Sequence, residues 1–268
     1  MTKITLKILL KIFHYLPDSL KLLIRSYKKQ EPELYELGWL VQQSSIAVDI
    51  GANKGAYTYA LSKLVREKGY VVAVEPIVEL ADYLRRASSQ LSLPVIVEQC
   101  CLSSKDGHGD LYIPIGESGE LLTGLANLRK PNSSNMETRK VKLKRLDDIL
   151  QQRKSRVSFI KCDVEGHEIE VFRGALGILK ADRPNLLVEI EKQHIDQPIE
   201  EHFAFFLEQN YTGYFLDENS NLKNLNDFDL DLYQPNILNN NDLCRKYVHN
   251  FIFLPNEVPN IRLLRNKK

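Results

Sequence analysis

The feature of this sequence that most constrains its fold is a series of short apolar runs, separated from one another by segments of helical pattern. These runs do not alternate strictly between apolar and polar residues, and they occupy residues 46–50, 70–74, 95–98, 157–162 and 186–190. A strand that is apolar on both sides is buried on both sides, as in parallel sheets whose crossover helices cover both faces. The pattern therefore predicts an α/β fold built on a central parallel sheet.

The segments between and after these runs complete the predicted order of elements. We expect helices at 56–68, 77–88, 166–180 and 200–209, strands at 111–115, 141–143, 211–216 and 250–254, and an irregular stretch at 224–242. Residues 116–140 are rich in Gly, Ser, Asn and Thr, and a loop of this length in a compact domain is usually a functional lid or an insertion. The sequence therefore divides into an extension at 1–44 and a domain at 45–268 with an insertion loop at 116–140.

Charge and cysteine content narrow the class of protein. The chain has 36 basic and 35 acidic residues, a formal net charge of +1, which disfavours nucleic acid as a partner. No apolar run approaches the roughly 18 to 20 residues of a membrane-spanning helix. The four cysteines, Cys100, Cys101, Cys162 and Cys244, have neither zinc-site spacing nor the density of a disulfide scaffold. We expect reduced, mostly buried thiols and, because no export signal is recognisable, a cytoplasmic protein.

The N-terminal segment differs in charge from the rest of the chain. Residues 1–30 hold seven Lys or Arg residues and a single acid, Asp18. Apolar residues recur there at helical spacing, at Ile4, Ile8, Leu9, Ile12 and Leu16. One interpretation is a helix that packs against its own domain and exposes a basic face. The other is a helix that lies on an anionic membrane surface, which would make the protein peripheral at a membrane.

The sharpest motif joins the first predicted strand to the first helix of the domain and reads Val48-Asp49-Ile50-Gly51-Ala52-Asn53-Lys54-Gly55. Gly51 and Gly55 allow the backbone to approach a ligand closely, and the N-terminus of the following helix presents free N–H groups. Glu75 stands at the tip of the second strand, about 20 residues or more beyond the loop, where a carboxylate accepts the ribose hydroxyls of an adenosine. The motif predicts an adenosine-containing cofactor, with a purely structural turn as the alternative.

Adenosine is shared by NAD and S-adenosylmethionine (SAM), and two residues favour SAM. Asn53 occupies the middle position of the loop, where a dinucleotide motif usually has glycine. Asp49 would place a carboxylate near a pyrophosphate, which is repulsive, whereas a carboxylate suits the ammonium or sulfonium group of SAM. We therefore predict SAM as the cofactor, and an NAD-dependent oxidoreductase remains an alternative.

A second group of polar residues follows the fourth predicted strand, in the stretch Lys161-Cys162-Asp163-Val164-Glu165-Gly166-His167-Glu168. Lys161 and Asp163 lie on the same side of this strand at its C-terminal end, which is the ligand-binding edge of an open α/β sheet. Charged side chains on a buried strand are costly unless they line a polar pocket, although a structural ion pair is the alternative. A further polar group follows the fifth strand, at Glu189, Glu191 and His194, for which a solvated loop is the alternative.

Together these motifs resemble the FkbM family of SAM-dependent methyltransferases. The resemblance covers roughly residues 45–255 and rests on the loop at 48–55, Val74-Glu75-Pro76, Arg145-Leu146-Asp147-Asp148, the stretch at 160–168, and Asn250-Phe251-Ile252-Phe253-Leu254-Pro255. It implies a Rossmann-like class I methyltransferase sheet of seven strands, the last antiparallel, with O-methylation as the usual activity. It also implies the cofactor contacts: a SAM loop formed by Asp49, Gly51, Asn53 and Gly55, ribose bound by Glu75, and adenine bordered by Cys101 and Leu102.

The expected reaction needs a base, because a sugar hydroxyl is a weak nucleophile at neutral pH. We hypothesise that Asp163 or His167 is this base and that Lys161 fixes the acceptor, with His194 as a further candidate. Methyl transfer itself requires no metal, and no metal-spaced cluster stands out in the sequence. The resemblance favours a hydroxyl of a sugar, glycan or glycolipid as the acceptor. A SAM-binding protein without catalytic activity is the remaining alternative.

Overall fold

The computed structural model describes residues 16–28, 31–66, 68–130, 135–235 and 247–257. Its strands, in chain order, are β1 Ile46–Ile50, β2 Tyr70–Val74, β3 Val95–Glu98, β4 Cys101–Leu102, β5 Gly107–Pro114, β6 Met136–Lys144, β7 Val157–Cys162, β8 Asn185–Glu189, β9 Tyr211–Leu216, β10 Leu222–Asn224 and β11 Asn250–Pro255. Its α-helices are α1 Asp18–Lys28, α2 Glu33–Leu40, α3 Ala56–Val65, α4 Val78–Gln90, α5 Leu146–Ile149, α6 Glu168–Arg173, α7 Leu176–Asp182, α8 Ile199–Glu208 and α9 Leu230–Tyr233. Short 3₁₀ helices span Thr123–Leu125, Lys192–His194 and Leu225–Asp227.

The central sheet confirms the predicted α/β fold. Within the described residues it has eight strands in the order β3-β2-β1-β7-β8-β11-β9-β10. The strands from β3 to β8 run parallel, and β11 runs antiparallel to both β8 and β9. The expected seven strands are present, and β10 adds an eighth at the edge. The sequence does not predict β10 because this strand has only three residues, and its hairpin with β9 depends on a turn in which Asp217 accepts backbone N–H groups of Asn219 and Asn221.

Both faces of the sheet are buried, as the apolar runs predict. All residues of β1 are buried. Val48 packs in the layer that includes Phe172 of α6 and Phe206 of α8. Its neighbour Ala47 packs in the opposite layer, with Leu61 of α3. Because successive side chains of a strand point to opposite faces, a strand between two such layers has no solvent-facing side, and the charged residues at its end must face a cleft.

A second, three-stranded sheet follows β3 and has the order β4-β6-β5. The loop predicted at 116–140 is shorter than expected, because β6 begins at Met136 and pairs antiparallel with β5. The sequence does not indicate the first half of β6, because this half contains several charged residues and no buried side chain. The one buried side chain of the strand, Val141, lies in its second half. Between the two strands, the described part of the insertion loop folds back through two isolated β-bridges, one of them to β5.

The helix predicted at 166–180 is wrong in one respect, because two helices, α6 and α7, occupy this segment. They are separated at Gly174, where a Cβ would collide with the carbonyl oxygen of Ser103. The chain therefore turns where it passes directly against the segment after β4. The other three predicted helices, at 56–68, 77–88 and 200–209, end within three residues of the observed bounds.

Helix α1 packs on the domain, as the first interpretation of the N-terminal segment predicts for these residues. Leu22 is fully buried and belongs to a cluster with Leu84 of α4. Asp18 accepts a hydrogen bond from Arg86 of α4 at 2.7 Å. The extension is thus joined to the domain by both an apolar contact and an ion pair.

The more N-terminal positions, from Ile4 to Ile12, lie outside the described residues. Contact of this segment with a membrane surface therefore stays a prediction, which flotation of the intact chain with anionic vesicles tests. Among the residues that the structure describes, no helix is both long and apolar enough to cross a bilayer.

Leu22→Ala tests whether α1 belongs to the folded core. We expect the free energy of unfolding to fall by about 2–4 kcal/mol, because a fully buried leucine would leave a cavity. Leu20 on the same helix is 40% exposed, so Leu20→Ala is the matched control and should cost less than about 1 kcal/mol. Urea denaturation measures both variants. Equal, small effects of the two changes would show that α1 adds nothing to the core.

Candidate active site

The loop between β1 and α3 forms the floor of a cleft at the C-terminal edge of the sheet. Gly51, Asn53 and Gly55 have φ angles of 74°, 46° and 79°, in the left-handed region. A Cβ at Gly51 would collide with the carbonyl oxygen of Asp163, so only glycine lets the loop pass against the tip of β7. The Gly51 N–H donates to the carbonyl oxygen of Val74 at 3.0 Å. The loop is therefore fixed between the tips of β2 and β7.

Gly55 has a different reason to be glycine. A Cβ there would lie 2.5 Å from Leu84 Cδ2 and 2.9 Å from Leu22 Cδ1. Both of these carbons belong to the contact between α1 and α4. The absence of a side chain at Gly55 thus allows the N-terminal helix to pack, and its predicted cofactor contact stays a prediction.

Glu75, at the tip of β2, is held in one orientation by the backbone. Its Oε2 accepts the N–H of Asn53 and its Oε1 accepts the N–H of Ile77, both at 2.8 Å. Burial raises the pKa of Glu75 to about 7, against the lowering effect of the two backbone donors, and the Asp49 and Asp163 carboxylates raise it further. Each carboxylate oxygen has two lone pairs, so both retain acceptor capacity for a ligand. The group is a fixed, buried acceptor of the kind that a ribose diol requires.

The cleft has two chambers. The first, here called the apolar chamber, is closed on one side by Thr123 and Gly124 of the insertion loop. Its apolar walls come from Ile50, Val74, Ile77, Cys101, Leu102 and Leu111. Glu75 lies among these walls. A flat apolar space with one fixed carboxylate suits an adenosine, whose ring is apolar on both faces and whose ribose carries two hydroxyl donors.

The second, here called the polar chamber, lies on the other side of the β1–α3 loop. It is lined by Arg25, Asp49, Lys54, Tyr57 and Lys161, and Gly55 borders it. Gly51, Asn53 and Asp163 border both chambers. A ligand that is apolar at one end and charged at the other could therefore extend from one chamber to the other across these three residues.

Asn53 has an unpaired acceptor at the junction of the two chambers. Its side-chain Oδ1 is buried and has no hydrogen-bond partner among the described residues. An unsatisfied buried acceptor costs about 1–3 kcal/mol, so a donor on a bound molecule at this position would be stabilised by it.

A buried ion pair forms the base of the polar chamber. Lys161 is 2% exposed, and its Nζ donates to Asp163 Oδ2 at 2.8 Å and lies 4.7 Å from the centre of the Tyr57 ring. Burial alone would lower the pKa of Lys161, but the carboxylates of Asp163, Glu189 and Asp49 raise it above its usual range. The lysine therefore stays charged beside these carboxyl groups, and its predicted contact with the acceptor stays a prediction.

Glu189, at the end of β8, is a member of this cluster that the sequence indicated only as part of a polar tip. Burial and the nearby Asp163 carboxylate raise the pKa of Glu189 well above its usual range. A hydrogen bond between the Glu189 and Asp163 side chains contributes to this raised pKa, so the two carboxyl groups act as a pair. The available sequence signal was an acid at the C-terminal end of a buried strand, next to the strand that carries Lys161.

The turn after β7 is built by a second buried carboxyl group. Glu168 Oε1 accepts the backbone N–H groups of Val164 at 3.3 Å and Gly166 at 3.0 Å. Glu165 and Gly166 have φ angles of 56° and 95°. A Cβ at Gly166 would collide with the carbonyl oxygen of His194, so this turn lies directly against the segment after β8. Glu168 was not predicted as a site residue, and its role is to hold this turn.

The two candidate histidines have different surroundings. His167 Nε2 is 3.1 Å from Ser103 Oγ, beside the apolar chamber, and burial lowers its pKa so that it is neutral. His194 Nδ1 pairs with Glu165 Oε2 at 2.5 Å. Burial would lower the pKa of His194, but the hydrogen bond and charge of Glu165 outweigh this effect and raise it. Only His194 has a carboxylate partner of the kind that orients a catalytic base.

The insertion loop is attached to the segment that carries His194. Arg129 forms an ion pair with Asp196 and donates to the carbonyl oxygen of His194 at 3.4 Å. His194 lines a third pocket, which meets the apolar chamber at Asn127 and Glu165. The structure thus brings every predicted site residue to one edge of the sheet, with His194 separated from the apolar chamber by Glu165.

The family comparison agrees with this geometry. Residues 49–212 match the model of a family described as the methyltransferase FkbM domain. No curated protein is significantly similar to the chain.

A solved structure shows the same fold, and two others are similar over part of the chain. The structure of methyltransferase FkbM from Methylobacillus flagellatus KT is 17% identical, with a TM-score of 0.50, and the match covers 83% of this chain and 50% of that protein. The chain thus spans about half the length of that protein. A SAM-dependent methyltransferase from Aquifex aeolicus is 18% identical, with a TM-score of 0.39 and coverage of 70% and 83%. Aeropyrum pernix fibrillarin, solved with bound S-adenosyl-L-methionine, is 10% identical, with a TM-score of 0.41 and coverage of 82% and 72%.

Glu75→Gln tests the fixed acceptor of the apolar chamber. We expect the affinity for S-adenosylhomocysteine, the demethylated product, to fall about 10- to 100-fold, because a carboxylate that accepts from a diol is replaced by an amide that also donates. Glu79→Gln is the matched control, since the Glu79 side chain is 62% exposed. Calorimetry measures both, and equal affinities in the two variants would remove Glu75 from ligand binding.

The same carboxyl group predicts how binding depends on pH. With a pKa of about 7, Glu75 is ionised at pH 8 and mostly protonated at pH 6. Because the ionised form is the better acceptor, affinity for S-adenosylhomocysteine should fall about tenfold as pH falls from 8 to 6. Glu75→Gln should lose this dependence. A dependence of equal size in Glu75→Gln would assign it to another group.

Proposed function

Because the chain belongs to the FkbM family of SAM-dependent methyltransferases, we propose that it transfers a methyl group to a hydroxyl of a sugar, glycan or glycolipid. The observation that carries the choice of a hydroxyl is the pairing of His194 with Glu165 beside the cofactor cleft. A nitrogen or sulfur nucleophile has less need of a base, whereas a hydroxyl must lose its proton as it attacks.

The residues present fit the cofactor. The apolar chamber with Glu75 suits the adenosine, and the unsatisfied Oδ1 of Asn53 suits a donor such as the ammonium group. Asp49 is 1% exposed and accepts from Thr58 Oγ1 at 2.5 Å, which fixes its carboxylate at the wall of the polar chamber. When bound, SAM supplies a methyl group that is already strongly electrophilic, so these residues act chiefly by holding it in position.

Of the three candidate bases, the geometry favours His194. Asp163 already accepts from Lys161 Nζ through Oδ2 at 2.8 Å. His167 lines the apolar chamber, but its Nε2 is engaged with Ser103 Oγ at 3.1 Å. His194 uses Nδ1 to pair with Glu165, so its Nε2 takes the proton of the acceptor hydroxyl. Asp163 borders both chambers, so it would offer its carboxyl group to the cationic part of the cofactor while Lys161 holds it in place.

A groove outside the cleft supports a sugar as the acceptor. It lies between α6 and α8, and it shares Arg129, Ile195 and Asp196 with the pocket of His194. The groove offers several charged groups for hydroxyls and one phenylalanine ring for an apolar sugar face: Glu170, Arg173, Phe205 and Glu208. An extended, polar acceptor could occupy this groove while one of its hydroxyl groups reaches His194.

Labelled SAM and a panel of hydroxylated glycans and glycolipids test the proposal. We expect label in the acceptor, with the new methyl located on oxygen by NMR. His194→Ala should lower the transfer rate by about 10²- to 10⁴-fold and leave the affinity for S-adenosylhomocysteine unchanged. His167→Ala is the matched control and should lose much less. Transfer to carbon or nitrogen, or full activity of His194→Ala, would refute the proposed chemistry, and SAM binding without any transfer would favour the non-catalytic alternative.

Glu165→Gln tests the orientation of the base. The charge of Glu165 raises the pKa of His194, and the neutral base exists above that pKa, so the rate should rise with pH through it. Without the charge, the rising limb should move to lower pH, with a lower plateau because the ring is held less firmly. Glu191→Gln should move the limb less, since Glu191 raises the pKa of His194 only through its charge. An unshifted limb in Glu165→Gln would contradict this role.

A further inference from the structure

Two basic side chains reach the rim of the polar chamber. Arg25 reaches the chamber from α1 and lies 5.0 Å from the centre of the Tyr83 ring. Lys54 reaches it from the β1–α3 loop. Arg25 precedes the segment at 49–212 that matches the family, so it belongs to the part of the chain that the shared motifs do not cover.

The two cations repel each other. Burial lowers the pKa of Lys54, and the charge of Arg25 lowers it further. Among the residues that the structure describes, Lys54 forms no ion pair that would offset this repulsion. An anion placed between two like charges at the rim of a chamber would relieve their repulsion.

The floor of the same chamber carries the opposite charge. Asp49 and Asp163 lie there with Lys161, and the unsatisfied Oδ1 of Asn53 faces the junction with the apolar chamber. The chamber therefore presents acceptors toward the junction and cations toward the rim. This order of charges is complementary to an α-amino acid group, with an ammonium toward the floor and a carboxylate toward the rim.

We infer that Arg25 and Lys54 bind the α-carboxylate of the amino-acid end of SAM, so that helix α1 completes the cofactor site. This inference rests on the cofactor assignment of the proposed function and extends it to residues outside the matched segment. The guanidinium group donates two parallel hydrogen bonds to the carboxylate, and the ammonium group of Lys54 adds a second charge.

The test compares two ligands that differ only at the carboxylate. Calorimetry measures the binding of SAM and of decarboxylated SAM, which keeps the adenosine, the sulfonium and the amine. Arg25→Ala should weaken SAM binding about 10- to 30-fold and Lys54→Ala about 3- to 10-fold, as expected for charge-assisted hydrogen bonds. Both variants should bind decarboxylated SAM within about twofold of the unchanged protein.

Arg86→Ala is the matched control. Arg86 also joins α1 to α4, through its ion pair with Asp18, but does not line the polar chamber. It should leave the affinity for both ligands unchanged, and thermal unfolding of each variant records whether α1 stays packed. If Arg25→Ala and Arg86→Ala weaken both ligands equally, α1 acts only through packing and the inference fails.

The remaining outcomes separate this inference from the proposed function. If the affinity for SAM is unchanged in both Arg25→Ala and Lys54→Ala, the carboxylate site is refuted. A raised KM for an anionic acceptor in these variants would then assign the two cations to that acceptor. In that case the unchanged protein still binds SAM and the proposed function stands. If the unchanged protein bound neither SAM nor S-adenosylhomocysteine, the cofactor assignment itself would fail.

Discussion

A buried ammonium group holds together the edge of the sheet on which the rest of the site is built. The strand register places Lys161 of β7 beside Asp49 of β1 and beside Leu187 of β8. Asp163 and Glu189 follow at the ends of β7 and β8, so carboxyl groups from three adjacent strands surround one cation. A buried charge without its partner costs several kcal/mol, which makes these groups interdependent. Asp49 and Asp163 also line the polar chamber, so the same acidic groups that surround Lys161 are available to a cationic ligand such as a sulfonium.

Two further buried carboxyl groups show how similar environments serve different purposes. Glu75 and Glu168 both have a pKa raised to about 7 by burial, and both accept two backbone N–H groups. Glu75 lines the apolar chamber, where the proposed ribose contact would lie. Glu168 lines neither chamber, and it fixes the turn that presents Glu165 to His194. Their positions in the fold therefore distinguish a carboxyl group that is open to a ligand from one that only shapes a turn.

The sequence predicted those parts of the site in which a charged residue stands in an otherwise apolar, buried strand. Asp49 and Lys161 interrupt apolar strands, and such charges require a cleft, so their role near a ligand was predictable. The structural reason for glycine at position 55 was not predictable, because the closeness of Leu22 and Leu84 depends on where α1 packs. The pairing of His194 with Glu165 was equally hidden, since it depends on left-handed backbone at Glu165 and Gly166. A charged residue that interrupts an apolar strand can be recognised in the sequence, whereas a contact between two loops can be recognised only in the folded structure.

The insertion loop contacts both the apolar chamber and the segment that carries His194. Thr123 and Gly124 line the chamber, while Arg129 of the same loop pairs with Asp196 and donates to the backbone of His194. Gly166 packs against the His194 carbonyl, so that segment is also constrained by the turn that carries Glu165. If His194 is the base, as proposed, its placement therefore depends on two contacts, one from the loop over the chamber and one from the turn after β7. The proposed cofactor site and the proposed base thus share one structural support, the insertion loop.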